Sequence, residues 1–275
     1  MDCNKAMILK EVTASSIITK SNLPDADYVI NPYIGCMHAC IYCYASFMKR
    51  FTGHVEPWGQ FVDVKINAPN LIPEKTSKYK NKSIFLSSVT DPYLSFERKY
   101  ELTRKVLKKL IPLEPKIGIQ TKSSLIARDI DLLKQFKNCE AGITITTTDD
   151  DIRREVEPCA SSISDRIKAL KEMHEAGIKT YVFIGPIFPF LTDWRDIIRK
   201  TKDYADFYML ENLNVKGSIW NNIKSWLQQK HPELLEKYEK IYFTKNDYWN
   251  DVEKEIKEYC RENKIDCRIY FHHGK

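Results

Sequence analysis

No stretch of the 275 residues approaches the roughly 18 consecutive apolar residues of a membrane span. The start, Met1-Asp2-Cys3-Asn4-Lys5, lacks a secretory signal pattern, so a soluble cytoplasmic protein with no membrane partner is expected. With 9 Gly and 12 Pro the composition excludes collagen-like and disordered classes, and no low-complexity linker or internal repeat divides the chain. There is no G-x-G-x-x-G, no G-x-x-x-x-G-K-[ST] and no G-x-S-x-G, which leaves dinucleotide, P-loop and serine-hydrolase readings without a motif. An arginine-rich block is also missing. The 43 Lys+Arg against 37 Asp+Glu give a net charge of +6, which permits a polyanionic partner without demanding one. Basic residues such as Arg98, Arg104, Lys105 and Lys108 read first as the solvated faces of helices.

What is present suits one large domain spanning 1–275. Hydrophobic residues at 43% supply a sizeable core. From Tyr28 the chain alternates short apolar runs with helical periodicities, the pattern of βα units around a parallel sheet. Six strands are expected: Tyr28 to Ile34, Ser83 to Val89, Lys116 to Thr121, Gly142 to Thr147, Lys179 to Ile184 and Asp206 to Leu210. Ser162, with Asp165 three residues on, starts a helix that Gly177 stops. The expected architecture is an α/β partial (β/α)6 TIM-type barrel over about 28–215, with C-terminal helices over about 218–262 and a last edge strand near Cys267 to Phe271.

Ligands of parallel α/β sheets gather at the carboxyl ends of the strands, and those ends are rich in polar residues here. Three of the eight cysteines, Cys36, Cys40 and Cys43, stand at C-x3-C-x2-C just after the first expected strand. Three thiolates on one loop can anchor a four-iron cluster and leave one iron open to an exogenous ligand. Two other readings compete: three unligated core thiols, or a zinc site completed by His38 or His54, as in a nonenzymatic nucleic-acid-binding module. Cys3, Cys139, Cys159, Cys260 and Cys267 are scattered; Cys139, Cys260 and Cys267 read as core positions, and a second cluster on Cys139, Cys159, Cys260 and Cys267 would lack a compact ligand pair. The histidines, His174 and His273 among them, have no metal-binding spacing.

The three-cysteine motif, with Tyr42 directly before its last cysteine, resembles that of radical S-adenosylmethionine (SAM) enzymes. Further runs resemble the spore photoproduct lyase-like branch: Asn31-Pro32-Tyr33-Ile34-Gly35-Cys36, Ser87-Ser88-Val89-Thr90-Asp91-Pro92-Tyr93, Thr121-Lys122-Ser123, Thr146-Thr147-Thr148-Asp149 and Glu157-Pro158. The resemblance covers about residues 8 to 215. It implies a [4Fe-4S] cluster on Cys36, Cys40 and Cys43, with SAM chelating the open iron. It further implies one electron from a reductant such as flavodoxin or ferredoxin, cleavage of SAM to methionine and a 5'-deoxyadenosyl radical, and hydrogen abstraction from a substrate. Damaged DNA is the partner the branch suggests; a peptide, an RNA base or a small metabolite is the alternative.

By position, the resemblance places Tyr42 near the adenine, Ser88, Thr90 and Asp91 beside SAM, and Lys122 against the SAM carboxylate. Thr144 and Thr146 either contact SAM or simply fill the strand. Tyr42 and Tyr44 match the tyrosines of a radical relay. One departure stands out. The DNA-repair lyases return a hydrogen atom from a cysteine at the position of Ser88, and an alcohol O–H bond is too strong for that role.

Overall fold

The structure, a computed structural model, describes residues 7–272; Cys3 and His273 lie outside the described residues. Eleven strands are found among the described residues: β1 (Ile8–Val12), β2 (Ile18–Lys20), β3 (Tyr28–Ile30), β4 (Tyr33–Ile34), β5 (Phe61–Lys65), β6 (Ser83–Leu86), β7 (Lys116–Thr121), β8 (Asn138–Thr144), β9 (Lys179–Ile187), β10 (Phe207–Asn212) and β11 (Cys267–Ile269). The helices are α1 (Glu97–Tyr100), α2 (Leu102–Leu110), α3 (Ile130–Leu133), α4 (Asp150–Val156), α5 (Ile163–Glu175), α6 (Trp194–Thr201), α7 (Ser218–Lys230), α8 (Pro232–Phe243) and α9 (Tyr248–Glu262).

The main sheet runs β11-β10-β9-β8-β7-β6-β3-β2, parallel from β3 to β11 with β2 antiparallel at the edge. The six expected units are thus successive neighbours, the order of a partial TIM-type barrel. Strand faces divide the labour. Ile117, Ile119, Ala141 and Ile143 turn toward the helices and pack on Val106, Leu107, Leu170 and Met173. Burying each such Ile is worth about 1.5–3 kcal/mol. Gly118, Gln120, Gly142, Thr144 and Tyr181 share the other face, where the Tyr181 ring occupies the space over Gly142 and an added Cβ would meet it at 2.1 Å. The α5 start is capped as expected, Ser162 Oγ accepting from the Asp165 amide at 3.1 Å, a cap worth about 1 kcal/mol.

Several boundaries differ from the sequence reading. The first strand is two, because Pro32 has no amide hydrogen to continue the ladder. β4 leaves for a second sheet, β1-β5-β4, that no apolar run announced. Glu101, at φ 52°, separates α1 from α2. β8 begins earlier than expected and ends at Thr144, leaving Thr146 and Thr147 in the following turn. α7 and α8 pack through Trp226 and Tyr238 against Phe188, and α9 lies on β11. No helix among the described residues is long and apolar enough to cross a membrane.

Candidate active site

The cysteine loop joins β4 to a 3₁₀ helix, Tyr44–Phe51. It can turn there because Gly35 adopts φ +88°; an added Cβ would lie 2.3 Å from the Phe61 carbonyl. The loop gathers its thiols. Burial pushes Cys36 well up, reinforced by Asp91, Cys40 and Cys43. Cys40 is pushed up to about 12, mainly by burial, with the Lys122 ammonium opposing. Cys43 is raised by burial while Lys122, the Ala45 and Ser46 amides and the Trp58 indole favour its thiolate. Three thiols that would repel one another once ionised, beside N–H donors and a half-buried cation, form a donor set that suits a cluster, which would draw the thiolate charge onto iron.

Of the two histidines a zinc site could use, His54 is engaged at both ring nitrogens, while His38 is held through Nδ1 alone. His54 Nε2 is 2.9 Å from Asp63 and Nδ1 is 3.0 Å from Glu56, while His38 Nδ1 faces Asp91 at 3.3 Å. Among the described residues no three His, Cys, Asp or Glu side chains gather around one ion. A polynuclear cluster, bound one thiolate per iron, does not require its ligands to meet at a point. Cys139 sits on β8 and Cys260 meets Cys267 where α9 reaches β11, so these three do not assemble a second centre.

Behind the loop lies a buried chain of charges. The Tyr42 hydroxyl donates to Glu157, and Glu157 pairs at 2.6 Å with Arg166, neither charged group having any exposure. Arg166 also donates to the Thr144 carbonyl (3.0 Å) and the Ser161 carbonyl (2.9 Å). Burial alone would raise Glu157; Arg166 and Lys122 outweigh it and hold the carboxyl low. The Lys122 ammonium stands 5.5 Å from the Tyr42 ring centre. Burial opposes its charge, but Cys40, Glu157 and Asp91 keep it raised.

The remaining expected residues meet at the same carboxyl ends. Asp91, held down to about 2 against its burial by His38 and Thr121, accepts from Thr121 Oγ1 (2.6 Å) and the amides of Tyr93 (2.8 Å) and Lys122 (2.9 Å). It thereby ties the β6 and β7 ends to the cysteine loop. Thr90 donates to the Gly35 carbonyl at 2.6 Å. Ser88 Oγ accepts from Asn31 (3.3 Å), and the Ser88 carbonyl accepts from the Tyr44 hydroxyl. Thr144 Oγ1 accepts from Gln120 (3.2 Å), whereas the buried Thr146 hydroxyl has no protein partner.

Arg166 and Glu211 enter the site without having been assigned to it from sequence, and His38, expected only as a candidate zinc ligand, enters as the partner of Asp91. Arg166 carried a signal, since it falls on the apolar stripe of Ile163, Ile167 and Leu170 where a charge needs a buried partner. Glu211, on β10, accepts from His272 Nε2 at 2.9 Å and lies near Tyr44, whose hydroxyl burial, Cys43 and Glu211 push up to about 12.

Comparison with known proteins agrees with this geometry. The signature of the Radical SAM superfamily matches residues 30–200. An uncharacterised protein of Methanocaldococcus jannaschii is 42% identical over 233 residues, 85% of this chain and 87% of that protein. A radical SAM Nα-GlyT isomerase of Pseudomonas phage M6 is 27% identical over 168 residues, 60% of this chain and 34% of that protein. Among solved structures, spore photoproduct lyase complexed with dinucleoside spore photoproduct superposes with a TM-score of 0.71 at 14% identity, covering 96% of this chain and 82% of that one.

Proposed function

The chain belongs to the radical SAM superfamily and is therefore an enzyme rather than a passive binding module; on that premise we propose that it acts on a damaged or modified base in nucleic acid, in the manner of a spore photoproduct lyase. The observation that carries this reading is Tyr44. The residue is 57% exposed overall while its hydroxyl end is tucked against the carbonyl of Ser88, the residue standing where the repair lyases place their hydrogen-donating cysteine. A phenol O–H bond is far weaker than an alcohol O–H bond, so Tyr44 is the better hydrogen donor of the two. The shared fold of a spore photoproduct lyase complexed with a dinucleoside spore photoproduct supports the same substrate class.

When bound, the cluster and SAM supply a 5'-deoxyadenosyl radical, a reagent for abstracting an unactivated hydrogen. The protein's own part is to hold and orient. Cys36, Cys40 and Cys43 would hold the cluster, whose electron would come from a low-potential donor such as flavodoxin or ferredoxin. Lys122 pairs with the SAM carboxylate, and its half-buried position makes that charge-assisted contact stronger than it would be in water. Tyr42, fixed at its hydroxyl by Glu157, presents its ring to the adenine. Thr146 offers its unpartnered hydroxyl to SAM, with Thr144 and Ser88 beside it. Asp91 and Thr90 keep the loops that carry these groups in register.

The test is anaerobic reconstitution followed by quantification of 5'-deoxyadenosine with no substrate, intact DNA or ultraviolet-irradiated DNA, with thymine products followed by mass spectrometry. Release coupled to repair of irradiated DNA is expected. Cleavage that ignores every nucleic acid would refute the substrate and turn the search to peptides and metabolites.

A further inference from the structure

The 3₁₀ helix Tyr44–Phe51 begins directly after Cys43 and has no acidic residue in its first turn. In a helix of three residues per turn, side chains three apart lie above one another, so Tyr44, Phe47 and Arg50 form one ridge. Phe51 flanks it. The two phenylalanine rings meet edge to face at 6.5 Å, and the Arg50 guanidinium lies 5.3 Å from the Phe47 centroid and 4.7 Å from that of Phe51. These rings are not core. Phe47 is 42% and Phe51 66% exposed, and Val55 beyond them is 86% exposed. Among the described residues no carboxylate pairs with Arg50, while the neighbouring Glu56 is already engaged by His54.

Two large exposed aromatic rings cost free energy unless something covers them. Here they carry a planar, unpaired cation and run unbroken into Tyr44 at the mouth of the site. We infer that Tyr44, Phe47, Arg50 and Phe51 form a docking ridge for single-stranded or locally unpaired nucleic acid, which leads a base to the site. The chemistry fits in each part. Unpaired bases offer π faces to Phe47 and Phe51, a phosphate meets Arg50 and Lys49, and the strand's direction of entry ends at Tyr44. A duplex would present phosphates but keep its base faces covered, leaving the phenylalanines exposed. This ridge rests on the nucleic-acid reading above and adds to it how the substrate arrives.

The experiment uses the reconstituted holoenzyme under anaerobic conditions. Binding of a fluorescein-labelled 12-nucleotide oligothymidylate is followed by anisotropy across a salt series, for wild type, F47A, F51A, R50A and R50K. All three positions are exposed, so melting temperature and iron content should match wild type and report that each variant is folded. We expect F47A and F51A each to weaken binding at least about fivefold, the loss of one base stack. R50A should weaken it and reduce the slope of log K against log salt by about 0.7, whereas R50K should restore the slope. Wild-type binding with unchanged affinity in F47A, F51A and R50A would overturn the ridge and leave the proposed substrate standing. No wild-type affinity for oligothymidylate, intact duplex or irradiated DNA would overturn both. Variants that bind the oligonucleotide normally but slow cluster reduction by flavodoxin would assign the ridge to the electron donor and overturn the proposal.

Discussion

Glu157 and Arg166 meet at 2.6 Å with both side chains fully excluded from solvent, and the Tyr42 hydroxyl completes the group. A buried ion pair of this kind is costly to break from one side, because the survivor is left charged and unpaired. Arg166→Met should therefore lower stability by about 3–5 kcal/mol, read from denaturant unfolding. The double variant E157Q/R166M should recover part of that loss. A double-variant loss equal to the sum of the E157Q and R166M losses would show that the pair is not coupled.

Cys40→Ala removes one of the three anchors. Iron bound after reconstitution should fall well below that of wild type, and reductive SAM cleavage should be lost, measured as iron per chain and 5'-deoxyadenosine released. Retained cleavage would remove Cys40 from the ligand set.

Lys122→Ala separates the cofactor contact from the cluster. A charge-assisted hydrogen bond worth about 1.5–3 kcal/mol predicts SAM binding weaker by about 10–150-fold, by equilibrium dialysis, with iron content kept. The same measurement on Thr146→Val should show a smaller loss, in keeping with a neutral hydroxyl. Unchanged SAM affinity in Lys122→Ala would refute the carboxylate contact.

His54 links pH to stability. Burial works against its charge, but hydrogen bonds to Asp63 and Glu56 win and raise its pKa above the ordinary value. A raised pKa means the folded state holds the proton more tightly. The contribution is therefore full below about pH 6.5 and is lost as pH rises through the folded value. Wild type should lose stability relative to His54→Gln as pH climbs from about 6 to 8, followed by chemical denaturation at each pH. A parallel pH dependence in both proteins would refute the linkage.

Gly35→Ala tests the loop that presents the cysteines. Its Cβ would sit 2.3 Å from the Phe61 carbonyl, in a conformation with φ +88°. Strain of about 1–3 kcal/mol is expected, together with reduced iron loading, by thermal melts and iron analysis. A variant that loads iron as wild type does would show the loop to be more adaptable than its geometry indicates.

Local pattern decided much of this protein. The six parallel strands could be read because strands buried toward covering helices appear as short apolar runs between helical periodicities, and the α5 cap because Ser162 and Asp165 are three apart. The C-x3-C-x2-C spacing likewise placed three thiols on one short loop. Contacts distant in sequence were not legible. β4 pairs with β5 across a long excursion, and the Pro32 carbonyl, on a residue with no amide hydrogen for the first ladder, accepts instead from the Lys65 amide of that second sheet. Asp91 was placed at the site, but not its bond to His38, and Glu157 was visible without Arg166. Sequence by itself determined which candidate groups cluster and at which end of the sheet they stand, because periodicity and loop spacing are local properties of the chain. Only the tertiary structure decided which of those groups face one another, because the burial and charge that tune Lys122, Glu157 and the three thiols come from side chains brought together by packing.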